Sequence, residues 1–177
     1  MKLSTKTLCM IALMAAVTCI LGPLSLPIGP VPISFTNLAI YFAVILLGTK
    51  KGTISYLVYL LIGLVGVPVF SGFTGGPGKL LGPTGGYLIG FIFMALISGF
   101  FIEHFHYKIG MSIVGMILGT IVTYVFGTAW LAIEAGMGFY AALMAGVIPF
   151  IIGDLIKIFI AAFLGLQIKK RISSYSN

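Results

Sequence analysis

The sequence predicts an all-α membrane protein, a bundle of six transmembrane helices with both termini on the cytoplasmic side. Three observations carry that expectation. The composition is 60% hydrophobic and only 7% charged, with a mean hydropathy of +1.21, whereas a soluble domain carries about 25% charged residues. A chain of 177 residues must turn much of its length outward, so its solvent is lipid. The apolar residues fall into six segments, and the basic residues fall on alternate connections between them.

The first segment is 7–22, ending at Gly22-Pro23. Lys2 and Lys6 before it resemble the start of a signal peptide, but no clean small-x-small cleavage site follows, so a retained helix is expected. The second segment, 35–48, stops before the turn Thr49-Lys50-Lys51-Gly52, and the third, 53–67, stops at Pro68. Both are short against the ~20 residues a span needs. Either the bilayer thins around them or the loops beside them fold back into it. The fourth is 84–102, followed by Glu103, His104, His106 and Lys108; the fifth is 110–133. The last begins after Pro149 and runs to 168, before Lys169-Lys170-Arg171. The chain reads as one integral membrane domain over 1–177, with no internal repeat.

Charge sets the orientation. With the N-terminus inside, the inner connections hold Lys2, Lys6, Lys50, Lys51, Lys108, Lys169, Lys170 and Arg171, and the outer ones only Lys79, a split of eight to one. The net charge of +7 is therefore a topology signal and does not imply nucleic acid. Cys9 and Cys19 lie in the first apolar run and read as packing residues.

This orientation puts irregular segments on the outer face. Gly22–Ser34, GPLSLPIGPVPIS, holds four prolines and should be stiff and extended. Gly72–Phe91, GFTGGPGKLLGPTGGYLIGF, holds eight glycines and two prolines. It fails the phosphate-loop pattern, because Leu80 follows Gly78-Lys79. It reads best as a gate and pocket wall: Gly75, Gly76 and Lys79 form the gating part. Backbone N–H groups near Thr84, Gly85, Gly86 and Tyr87 are expected to approach a ligand, and Tyr87 adds a ring face and a hydroxyl. Lys79 either attracts an anionic ligand or is simply solvated.

Asp154 and Lys157, in Pro149–Lys157 (PFIIGDLIK), share one helix face at i and i+3, one to two turns from the outer end. A charge at mid-helix costs about 2.5–3.5 kcal/mol on insertion scales. One reading is a mutual ion pair pinning the helix to a neighbour; the favoured one is a polar patch facing a cavity open to the outside. Glu103, His104 and His106 form no metal set and read as a solvated helix end. Glu134 beside Trp130 is an ordinary interfacial arrangement. With three acids and two histidines in the chain, catalysis has few possible participants, and no enzyme is expected. Ala12 and Ala16 form a small-xxx-small face on the first helix, suited either to docking a partner helix or to ordinary packing.

The run Gly82–Phe91, GPTGGYLIGF, resembles the signature of BioY, the biotin-binding substrate component of energy-coupling-factor (ECF) transporters. LPIGPVPIS, GLVGVPVFSG and IPFIIGDLIK resemble that family in the same order, so the likeness covers essentially the whole chain. The resemblance implies a six-helix bundle like other ECF S components, in a prokaryotic cell membrane. It implies no cofactor and no ATPase of its own. It further implies capture of biotin from outside, and docking through Ala12 and Ala16 onto a transmembrane coupling subunit that works with two ATP-binding subunits. Asp154, Lys157, Tyr87, Gly85, Gly86 and Thr84 become the expected biotin-binding residues. Where many members carry a Gln-Thr pair this chain has Thr36-Asn37, so no polar contact is carried over from that region. Two other readings compete with biotin capture. An intramembrane lipid enzyme would need more acids or histidines at depth. A structural subunit, or one for another vitamin, remains the main alternative.

Overall fold

The computed structural model describes residues 4–174; Lys2, counted above among the inner charges, lies outside them. Helix α1 spans Thr5–Leu21, α2 Thr36–Leu47, α3 Thr49–Leu64, α5 Gly85–His104 and α6 Ile109–Glu134. The last pass is a stack: a 3₁₀ turn Ile148–Phe150, α8 Ile151–Ile160, a π turn Ala161–Gly165 and α9 Leu166–Ser174. Two short helices lie in the outer connections, α4 Pro77–Leu81 and α7 Phe139–Gly146.

The helices meet where small residues let backbones approach, as packing inside lipid requires. A β-carbon on Gly119 would lie 2.7 Å from Ser98 Oγ and 3.0 Å from Met94 O, so α5 and α6 close directly on each other. One on Gly52 would lie 2.7 Å from Val44 Cα, which seats α3 on α2. Helix α1 packs on both through Ile11, Met14, Ala15 and Thr18. In the last pass, Ala161 and Ala162 are buried, and a β-carbon on Gly165 would lie 2.8 Å from Ile45 Cδ1, so the π turn falls where α2 comes closest.

The ends of the bundle are tied together separately. On the side expected to be inner, Lys169 Nζ donates to Leu46 O at 2.8 Å and sits 5.4 Å from the Tyr107 ring centroid. Glu103 is not merely solvated. It accepts from the Thr49 N–H at 3.1 Å and from the Thr49 hydroxyl, and so caps α3.

At the opposite end the loops fold back. The proline segment is more than an extended loop: Ser25–Leu26 (β1) pairs antiparallel with Ile33–Ser34 (β2), in register Ser25 with Ser34. Val31 and Phe150 pack with Tyr87, Leu131 and Ala142 in a small buried cluster. After α3, Val69 and Phe70 turn into the main core against Tyr59, whose hydroxyl donates to Val69 O at 3.1 Å. The shortness of α2 and α3 goes together with this infolding. At 12 and 16 residues they run about 18 and 24 Å. Part of the irregular backbone beyond them, at Val31, Val69 and Phe70, is buried inside protein, the setting in which a membrane tolerates it.

Candidate ligand-binding site

Between the infolded loops and the outer ends of α2, α5, α6 and α8 lies a cavity of about 660 Å³, part of it open at the mouth. Its walls are mostly apolar: Tyr87, Leu88, Phe91 and Met94 from α5, and Phe150 below α7. The hairpin contributes Val31, Pro32 and Ser34, and Ser71 comes from just before the glycine-rich stretch.

The charged groups converge at one place. Asp154, in the first turn of α8, and Lys157, one turn on, are both buried and line the cavity. Lys157 Nζ is 3.0 Å from Asp154 Oδ1 and donates to Ser34 O at 2.7 Å. Asn37 Nδ2 donates to Asp154 Oδ1 at 2.8 Å, and the Tyr124 hydroxyl donates to Asp154 Oδ2 at 2.7 Å. The two readings of this pair thus hold together: it is an ion pair, and it faces a cavity. The acid near the start of α8 also suits the helix dipole. The Phe35 ring lies 5.8 Å from the ammonium. Neither charge is left bare, which is the condition for burying it.

The other expected residues are distributed differently. Thr84 lines the cavity, its hydroxyl 3.5 Å from Lys79 O. Tyr87 lines it with its ring, but its hydroxyl donates to Gly146 O at 2.9 Å and ties α5 to α7. Gly85 and Gly86 do not line it. The Gly85 N–H is bonded to Gly82 O at 2.9 Å, and a β-carbon there would run into Leu80 O. A β-carbon on Gly86 would meet Phe126 O at 2.6 Å and the Trp130 side chain. These two glycines admit α4 and α6 to the start of α5, and Trp130 Nε1 donates to Gly82 O at 3.0 Å beside them. Gly75, Gly76 and Lys79 also stand off the cavity wall. Gly75 is pressed on Gly66 and Val67, and the Gly76 N–H donates to Gly63 O at 2.7 Å with φ of +89°, a conformation glycine adopts freely. Lys79 is half-buried in α4, where burial pushes its ammonium below the usual lysine range. Ala12 and Ala16 are both exposed on the outside of α1.

Asn37 and Tyr124, the two residues that hold the Asp154 carboxylate from other helices, were not among those expected. An amide in an apolar segment was the available signal for Asn37; Tyr124 offered none, because a tyrosine in a membrane helix is ordinary.

The chain matches the BioY family over residues 1–174. It belongs to that family. It is 40% identical over 174 residues to "Biotin transporter BioY" of Rhizobium etli, covering 92% of each chain. It is 37% identical over 155 residues to "Probable biotin transporter BioY" of Pyrococcus horikoshii, covering 88% of this chain and 91% of that one. A crystal structure at 2.1 Å of the S-component for biotin from an ECF-type ABC transporter superposes with a TM-score of 0.88 at 34% identity, covering 96% of this chain and 95% of that one. With that likeness, this BioY chain is a multi-pass integral membrane protein. Its fold is the expected helical bundle, with Gly85–His104, Ile109–Glu134 and the stack Phe139–Ile172 each long and apolar enough to cross a bilayer.

Proposed function

We propose that this BioY chain captures biotin from the outer side of the membrane, as the substrate-binding subunit of an ATP-driven ECF importer. The observation that carries the reading is the buried Asp154–Lys157 pair facing a cavity whose other walls mix apolar side chains with hydroxyls. An ionised carboxylate offers about four acceptor places and an ammonium three donors. Asp154 already receives three donors, and Lys157 already gives two, to Asp154 and Ser34 O. What remains is one acceptor beside one donor. A ureido group presents the complement, an N–H beside a carbonyl oxygen. The ureido end therefore meets Asp154 and Lys157, and the bicycle and chain pack on Phe91, Met94 and Phe150. Ser71 and Thr84 supply hydroxyls for the carboxylate end.

The chain carries no phosphate loop, so energy comes from outside it. The exposed Ala12/Ala16 face of α1 is the docking surface for a transmembrane coupling subunit, which links it to two ATP-binding subunits. Calorimetric titration of biotin into the purified protein in detergent tests the reading, beside Asp154→Asn and Lys157→Ala. Tight binding that both changes weaken is expected. A folded protein that gives no heat and no thermal stabilisation with biotin overturns it, and a panel of other vitamins then identifies the ligand class.

A further inference from the structure

The orientation of the Asp154 carboxylate is set by residues outside its own helix. The Asn37 amide cannot be turned over: its Oδ1 accepts from the Leu38 N–H at 3.1 Å, so its NH₂ must face Asp154. With Lys157, it fills both acceptor places of Oδ1. The Tyr124 hydroxyl occupies one of the two places of Oδ2. Asn37 is 4% exposed and comes from the first turn of α2; Tyr124 is half-buried and comes from the middle of α6. Two separate helices thus brace one carboxylate against rotation and leave one open place, on Oδ2.

We propose that Asn37 and Tyr124 are positioning residues for ligand capture, which with Lys157 occupy three acceptor places of Asp154 and aim the fourth, on Oδ2, at a ligand N–H. The inference rests on the proposal above that Asp154 receives a ureido N–H. It gives the pocket a specificity device: a donor at one ring nitrogen is read, and a group without that donor is refused, because the open acceptor would be buried unpaired. Loss of either brace blurs the reading, since the carboxylate can then turn or admit water.

The test is a thermodynamic cycle between residue and ligand atom. Wild type, Tyr124→Phe and Asn37→Leu are titrated calorimetrically with biotin and with biotin methylated at either ureido nitrogen. In wild type, methylation at one nitrogen weakens binding at least ~10-fold, the value of a hydrogen bond to a charged group. In each variant, biotin binds at least ~5-fold more weakly and the methylation penalty shrinks at least ~3-fold, because the ligand donor has lost its aligned acceptor. Equal weakening of both ligands, with the penalty intact, would show that Asn37 and Tyr124 only pack; unchanged biotin affinity would also overturn the proposal. So would a wild type that binds biotin but ignores methylation at both nitrogens. A wild type that does not bind biotin refutes the function reading itself. If Asn37→Leu does not fold, Tyr124→Phe decides alone, since it keeps the ring and removes one oxygen.

Discussion

Asp154→Asn is the sharpest perturbation of this site, because it changes charge and one donor–acceptor identity at nearly constant shape. In the native site Oδ1 receives Asn37 at 2.8 Å and Lys157 at 3.0 Å, and Oδ2 receives Tyr124 at 2.7 Å. The substituted side chain keeps one oxygen, which can continue to receive Asn37 and Lys157. Its NH₂ replaces Oδ2. The Tyr124 hydroxyl can turn to accept from it, but a ligand N–H now meets a donor. The lost hydrogen bond to a charged acceptor is worth about 1.5–3 kcal/mol, or about 10- to 150-fold in affinity. Removing one partner of a buried pair outright costs about 3–5 kcal/mol of stability. Here Lys157 keeps Ser34 O and an amide oxygen, so the loss of fold stability should be well below that. The assay is calorimetric titration of biotin, with a thermal melt of the unliganded variant in the same detergent. Affinity should fall within the stated range while a cooperative melt persists. Unchanged affinity in a folded variant would remove Asp154 from the site. Loss of the cooperative melt would make it a folding element instead.

Further expectations follow from the same geometry. Tyr87→Phe removes the bond to Gly146 O and should lower thermal stability by the equivalent of ~1 kcal/mol; because that hydroxyl is already committed, biotin affinity should move less than ~3-fold, and a larger loss would show that it turns to the ligand. Gly86→Ala should destabilise by ~1–3 kcal/mol through overpacking on Phe126 O and Trp130, seen as a lower melting temperature; a variant as stable as wild type would mean that α5 and α6 have slack there. A tryptophan at Ala12 or Ala16 should leave biotin titration unchanged and impair co-purification with the coupling subunit, since both positions are exposed; loss of binding with normal assembly would make α1 a packing element only.

What the sequence alone determined was the solvent, the number of passes and the location of the buried charges. These depend on composition, on apolar run length and on where lysines fall, and each is local. Asp154 and Lys157 were legible because an ionised group in lipid is expensive wherever it sits. The infolding of the outer loops was legible only as an alternative, since short runs at α2 and α3 admit a thin bilayer equally well.

Which faces meet was decided by tertiary structure. In a soluble helix the apolar stripe names the buried face. Here the apolar side chains of α2 and α6 do not mark the buried face, because lipid and protein interior ask for the same ones; in α6 the small and polar residues Ser112, Gly115, Gly119, Thr120, Thr123 and Thr128 turn inward instead. Asn37 and Tyr124 lie 117 and 30 residues from Asp154, and only helix rotation brings them to it. The same holds for Gly85 and Gly86. A glycine admits either a ligand or another helix at close range. Trp130 and Leu80 pack on this pair, a contact that no property of the glycines themselves could have announced.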